Sequence, residues 1–217
     1  MKLHLGCGEI YLKGYINVDF PSTKHSVQQK RVADVCKDIL SLHYPPGSIE
    51  EIRLHHVFEH FSRPVACALV SVWYLWLKPG GILHIEVPDF FRTAIVILNP
   101  FSSDRMKDVA MRHLYGSHEA NWAIHCAGYT MKSLSDFLKH YGLQIIKTRK
   151  NTWRGTYNIE IISQKSSIGF DLKTLEKLTE DYLRRFLINS SKSGSESRLL
   201  SVWMKNYKDQ VRKSIKV

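Results

Sequence analysis

A doubly wound α/β fold with a mostly parallel sheet is what this 217-residue sequence predicts, and three observations predict it. The chain opens on a short apolar run, Leu3-His4-Leu5, that enters a glycine turn, Gly6-Cys7-Gly8; a second run, Tyr15 to Val18, ends in Asp19. Strand, glycine-rich turn, strand and acid form the front half of a nucleotide-binding α/β unit. Strand patterns at 49–57 and 82–87 flank a helical pattern at 64–77, so the element types alternate. Two further strands at 143–148 and 157–163 are joined by a hairpin-like loop, KNTWRGT.

Each element has a physical reason. Glycine at the first turn lets the backbone approach a ligand with no Cβ in the way. The Asp19 carboxylate can accept hydrogen bonds from both hydroxyls of a ribose. Only ten residues separate Gly8 from Asp19, so any helix there is cut to a turn or two. Residues 20–31 read as an irregular polar loop and 32–35 as a short third strand. Asp38 follows, suited to a binding role or to an Asx turn before Ile39-Leu40. His43 to Ser48 is a proline-rich turn. The strand 49–57 ends at His55-His56-Val57, and the carboxyl end of a strand in an open sheet faces the ligand crevice. Those three residues are expected to line the site, chiefly through backbone. Glu59 and His60 offer an acid/base pair, or Glu59 caps the next helix and His60 makes a structural hydrogen bond.

Pro64 suits the first turn of a helix. Val65, Leu69, Val72, Trp73, Trp76 and Leu77 are its core stripe, the tryptophans packing rather than stacking on a ligand. Lys78-Pro79-Gly80-Gly81 ends the helix with a glycine cap. Residues 90–98 and 104–115 are helical, broken at Asn99-Pro100. The loop GSHEANWAIHCAGYT follows, carrying His118, Glu119, Trp122, His125 and Tyr129. Thr130 is an N-cap for a helix over 131–141, stopped by Gly142.

LGCG, NVD, Asp38-Ile39, SIEEIRLHHVFEHF (48–61) and WYLWLKPGGILHIEVPDF (73–90), in that order, resemble the class I S-adenosylmethionine-dependent methyltransferases over roughly residues 1–165. The likeness is closest to the small bacterial branch often found with polysaccharide and surface-glycan genes. The resemblance implies a Rossmann-like sheet with an antiparallel last strand and S-adenosylmethionine as cofactor. It puts Leu5, Gly6, Cys7 and Gly8 at the methionine end, Asp19 on the ribose, Asp38 at the adenine, and His55, His56 and Val57 along the pocket. Residues 90–130 become a lid over the active site, which suits a small-molecule or glycan acceptor, hydroxylated or anionic, methylated on oxygen by preference. Imidazole is a base suited to neutral pH. His125 is the first candidate, then His118, then His60. A metal site from His113, His118, Glu119, His125 and Cys126 matches no standard zinc spacing, so no metal is expected.

Composition sets the bounds. A hydrophobic fraction of 44% supplies a core, and one domain is expected at this length. No apolar run approaches a membrane span and no leader opens the chain, so a cytoplasmic protein is expected. Four cysteines without a CxxC read as buried free thiols in a reducing compartment. The net charge of +11 is spread along the chain and favours anionic partners. Residues 166–217 form a basic helical extension, with amphipathic stretches at 171–188 and 199–211 around a low-complexity segment, 189–197. Those helices can pack on their own domain, on a second copy, or on a membrane surface. Nucleic acid is not the expected partner, because no RNA-binding module or tight basic stripe is present. The competing readings are a non-catalytic cofactor-binding scaffold and an RNA methyltransferase.

Overall fold

The computed structural model describes residues 1–21, 27–28, 30–153, 155–167, 169–189 and 193–215. Half of the expected loop at 20–31, Arg154 of the hairpin turn, part of the 189–197 segment and Lys216 of the basic tail lie outside them. The strands are β1 (Lys2–Leu5), β2 (Ile16–Asp19), β3 (Val35–Cys36), β4 (Ile49–His55), β5 (Leu77–Pro88), β6 (Leu143–Trp153) and β7 (Thr156–Lys165). They form one seven-stranded sheet in the order β3-β2-β1-β4-β5-β7-β6. The first five are mutually parallel, and β7 runs antiparallel to both neighbours. This is the expected α/β doubly wound, Rossmann-like architecture with its antiparallel last strand.

No helix links β1 to β2. Asn17, wholly buried, does that work instead. Its Oδ1 accepts from Leu12 N–H at 2.9 Å, and its Nδ2 donates to Leu12 O, Tyr15 O and Asp34 Oδ2. One amide thereby satisfies the backbone of an irregular connection that a helix would otherwise satisfy internally.

The helices are α1 (Arg63–Trp76), α2 (Phe90–Leu98), α3 (Asp104–Tyr115), α4 (Met131–His140), α5 (Leu172–Arg184) and α6 (Ser195–Ser214). Trp73 and Trp76 are buried core, as their spacing implies. The α1 N-cap is Ser62, so Glu59 does not cap it. The lysine-proline-glycine turn is not a left-handed helix cap either: Leu77 at the C-cap is extended, and the turn is taken into β5 as a bulge, where Ile49 pairs with Leu77 but Glu51 pairs with Ile82. Thr130 caps α4 in a reciprocal capping box with Ser133.

Three expectations need correction. The third strand is two residues, at 35–36 rather than 32–35. The fourth strand stops at His55, because His56 adopts a left-handed backbone (φ 54°) that cannot continue a ladder. The cysteines are free, but Cys126 is exposed and only Cys7 and Cys67 are buried. Leu175 and Leu183 of α5, and Leu200, Tyr207 and Val211 of α6, join the same core as α1 and the sheet. The amphipathic stripe weighed for membrane contact is thus partly spent on packing, while Leu172, Phe186, Leu199 and Val202 remain exposed. Among the described residues no helix is long and apolar enough to cross a membrane.

Candidate active site

Two adjoining cavities open at the carboxyl ends of the parallel strands, where a ligand crevice belongs in an open α/β sheet. The smaller, about 430 Å³, is lined by Gly6, Gly8, Asp19, Asp38, Val57 and His60 among others. The larger, about 750 Å³, is lined by Cys7, His55, His56, Glu86, His113 and His125 among others. Gly6, Gly8, Glu9 and His56 border both.

The glycine turn curls over β2, since both Gly6 N–H and Cys7 N–H donate to Val18 O, at 2.8 and 3.1 Å. Gly6 (φ 66°) and Gly8 (φ 54°) are left-handed. A Cβ on Gly6 would lie 2.2 Å from Val57 Cγ2, whereas a Cβ on Gly8 would meet no protein atom within 4 Å. Gly6 is therefore needed for packing, and Gly8 leaves its space to the cavity. The Asp19 carboxylate braces this loop: Oδ2 accepts from Gly8 N–H at 2.6 Å and Oδ1 from Phe20 N–H at 2.7 Å. Asp38 makes the Asx-type cap, its Oδ1 accepting from Leu40 N–H at 2.8 Å, and it also lines the smaller cavity. Phe20 and Trp122, both lining that cavity, have ring centroids 5.8 Å apart.

The larger cavity has an ionisable wall. His56 bridges two carboxylates, with Nδ1 3.4 Å from Glu59 Oε1 and Nε2 3.4 Å from Glu86 Oε1. Burial works against its charge, but the two carboxylates outweigh it and hold the His56 pKa at about 9. The left-handed backbone of this residue, uncommon outside glycine, is what turns its ring between them. Burial also works against charge on Glu59, but the His56 ring beside it holds that carboxyl below the usual range. His125 behaves the opposite way. Burial outweighs the pull of Glu59 and lowers its pKa, so the ring is neutral near pH 7 and able to accept a proton. His55 is pushed down to about 4, chiefly by burial and with help from the Arg53 cation and the neighbouring His84 ring, against the pull of Glu86. His113 is likewise lowered by burial, and its Nε2 bonds to Tyr157 O at 2.9 Å.

The structure brings together most of the residues singled out in the sequence. Gly6, Gly8, Asp19, Asp38, His56, Val57 and His60 meet at one cavity, and Cys7, His55 and His125 at the other. Two stand apart from both linings. Leu5 is buried in the core, and His118 turns its Nε2 to Tyr115 O at 2.9 Å on an exposed loop. Sequence reasoning missed Glu86 and Asn151, and weighed His113 only as a metal ligand. Glu86 had a trace: His84 and Glu86 alternate with Ile85 and Val87, so one face of a central strand is polar. Asn151 donates to Glu86 Oε2 at 2.7 Å across the hairpin, a contact no local pattern announces.

No protein-family model matches the chain, and no curated protein does. Solved structures do. An S-adenosylmethionine-dependent methyltransferase from Methanosarcina mazei is similar at 18% identity and a TM-score of 0.50, covering 76% of this chain and 92% of its own. The 1,6-didemethyltoxoflavin-N1-methyltransferase of Burkholderia thailandensis, with 1,6-didemethyltoxoflavin and S-adenosylhomocysteine bound, is similar at 13% identity and 0.52, covering 76% and 71%. A chain of the complex between the Haloferax volcanii Trm112 methyltransferase activator and a methyltransferase is similar at 12% identity and 0.53, covering 78% and 83%. At such identities the likeness establishes a shared fold.

Proposed function

We propose that this protein is an S-adenosylmethionine-dependent methyltransferase acting on a small-molecule or glycan-type acceptor, with oxygen the preferred methyl acceptor. One observation carries the reading: Gly6, Gly8, Asp19 and Asp38, singled out independently along the sequence, line a single cavity of about 430 Å³. The donor set there suits the cofactor. Asp19 and Asp38 are acceptors for ribose hydroxyls and an adenine amino group, Val57, Ile39 and Phe61 supply apolar wall, and the space beyond Gly8 is open. The shared fold, found with bound S-adenosylhomocysteine in the Burkholderia enzyme, supports the same reading.

When bound, the cofactor supplies a methyl group already activated on a sulfonium. What remains for this chain is alignment and proton acceptance. Gly6, Gly8 and His56 border both cavities, so the junction is where the two ligands meet. His125, neutral and lining the larger cavity, is the first candidate to take a hydroxyl proton at Nε2. His60 lines the smaller cavity and stands next to it, ring centroids 4.6 Å apart. His118, bound to the Tyr115 carbonyl outside both cavities, ranks last. The His56 cation and Arg112 at the larger cavity favour an acceptor that carries negative charge. Free cysteines fit a cytoplasmic setting, and action within polysaccharide biosynthesis fits a hydroxylated anionic acceptor.

Calorimetry with S-adenosylhomocysteine, followed by tritiated-methyl assays on glycan and nucleotide-sugar pools, tests the proposal. Binding is expected, and Asp38→Ala should weaken it several-fold. Absence of binding to both the cofactor and its demethylated product overturns the reading.

A further inference from the structure

Glu59 is 1% exposed, and neither carboxylate oxygen meets hydrogen-bond geometry with any described residue. A buried carboxylate is costly unless a cation compensates it, and the His56 imidazolium does so only in part, from 3.4 Å at Oε1. Three imidazoles surround it. His56 approaches Oε1 at 3.4 Å and His125 Nε2 at 3.8 Å, while the His60 ring packs edge-on against that of His125. The His60 tautomer follows from its contacts. Its Nδ1 lies 3.1 Å from Ile124 O, and a carbonyl only accepts, so Nδ1 carries a proton and Nε2 is the nitrogen left to meet an ion. One donor atom each from Glu59, His60 and His125 lie within 4.8 Å of one another. The segments that carry them are tied together, since Cys126 and Ala127 N–H both donate to Glu59 O, at 2.8 and 3.1 Å.

We propose that Glu59, His60 and His125 form a mononuclear site for a first-row divalent transition-metal ion of the zinc class, at the junction of the two cavities. Two neutral imidazoles and a carboxylate are a donor set such ions take, with a position left open. A histidine whose second nitrogen donates to a backbone carbonyl is oriented as metal-binding histidines are. With bonds of about 2.1 Å, tetrahedral donors stand about 3.4 Å apart, so donors now within 4.8 Å of one another need draw in by at most about 1.4 Å. His60 borders the smaller cavity and His125 the larger, which leaves the open position facing ligand space. An acceptor oxygen can complete the shell there, and with an ion bound His125 Nε2 would serve as a ligand while the ion, by acidifying that hydroxyl, would stand in for the base; that role rests on the methyl-transfer reading, but the binding of the ion does not.

A second cluster, His55, His84 and Glu160, has similar spacing but is already committed. His84 Nε2 bonds to Glu160 Oε1 at 2.6 Å, Arg149 stands 3.5 Å from Oε2, and the Arg53 guanidinium lies 3.1 Å from His55 Nε2, so cations already occupy the place of an ion. It serves as the internal control.

The test is titration of the chelator-stripped full chain with Co²⁺, read by visible d–d absorption, with Zn²⁺ as competitor and folding checked by circular dichroism. One equivalent is expected to bind with a low-symmetry spectrum that Zn²⁺ abolishes. His60→Gln, at a partly exposed position, and His125→Gln should each weaken binding about tenfold or more, and His84→Gln should leave it unchanged. No absorption, absorption indifferent to both His60→Gln and His125→Gln, or absorption lost only in His84→Gln overturns the site. S-adenosylhomocysteine calorimetry on the same samples separates the two proposals. Cofactor-product binding without Co²⁺ binding removes the metal alone, and Co²⁺ binding without it removes the methyltransferase reading alone.

Discussion

Gly6 and Gly8 share a left-handed backbone, yet alanine should act differently at the two. At either position an L-residue in that region costs about 1–2 kcal/mol. At Gly8 nothing is added, because the new methyl meets no protein atom within 4 Å. At Gly6 the methyl would stand 2.2 Å from Val57 Cγ2 and 3.4 Å from Val57 Cβ. Valine is stiff about χ1, so relief requires backbone movement or an off-rotamer side chain, about 1–3 kcal/mol more. Gly6→Ala is therefore expected to lose about 2–5 kcal/mol, a large share of a typical 5–15 kcal/mol total. Urea unfolding followed by circular dichroism reads this directly. With a slope of about 2 kcal/mol/M the midpoint should fall by roughly 1–2.5 M for Gly6→Ala and by roughly 0.5–1 M for Gly8→Ala. S-adenosylhomocysteine affinity should show the opposite emphasis in the folded proteins, because the Gly8 methyl projects into ligand space. A Gly6→Ala protein as stable as the parent, or a Gly8→Ala protein less stable than Gly6→Ala, would refute the assignment of packing to one glycine and room to the other.

Three further outcomes are expected. Asp34 is held below the usual carboxylate range by the Asn17 backbone and side-chain hydrogen bonds, so its contribution to stability is present above pH 3.8 and lost as pH falls through its folded-state pKa; the urea-midpoint gap between parent and Asp34→Ala should close below about pH 3.8, and a gap unchanged down to full acid unfolding counts against the Asn17 network. Burial pushes the Cys7 and Cys67 thiols up to about 12, while Cys126 is exposed; iodoacetamide at pH 8 should label Cys126 well before either buried thiol, and equal native-state labelling by mass spectrometry would contradict the fold around β1 and α1. Arg92 donates to Asp89 Oδ2 at 2.6 Å, Asn158 O at 2.6 Å and Asn151 O at 3.0 Å, a span a lysine cannot reproduce; Arg92→Lys should cost about 1–3 kcal/mol in denaturant unfolding, and a neutral result would mean the hairpin is held by its ladder alone.

How far the sequence could be read depended on the range of the interaction involved. Gly6, Gly8 and Asp19 are legible because their jobs are local: a turn, a cavity floor, a strand end. The α1 stripe and the Thr130 cap are legible for the same reason. What escaped is set across the sheet. Asn17 looks like an ordinary strand residue until its amide is seen to replace a helix. The end of β4 at His55 is decided by Glu86 and Glu59, one of them thirty residues away from the His56 ring it holds. The spacing of His113, His118, Glu119, His125 and Cys126 fits no standard metal pattern, and the cluster proposed above takes only His125 from that set. Glu59 and His60 supply the partners of His125, and no spacing rule spans a gap of 65 residues in chain.

The far end of the chain holds on to the near one. Gln210 Nε2 donates to Leu40 O at 2.9 Å, and His43 Nδ1 to Ser214 O at 2.9 Å, so the last helical turns clasp the short segment that begins at Asp38. A protease nick, a bulky fusion or a deletion in that tail would loosen the Asp38 wall of the smaller cavity first and leave the central strands intact. Such a product would look folded by every bulk measure and yet have lost the shape of that wall.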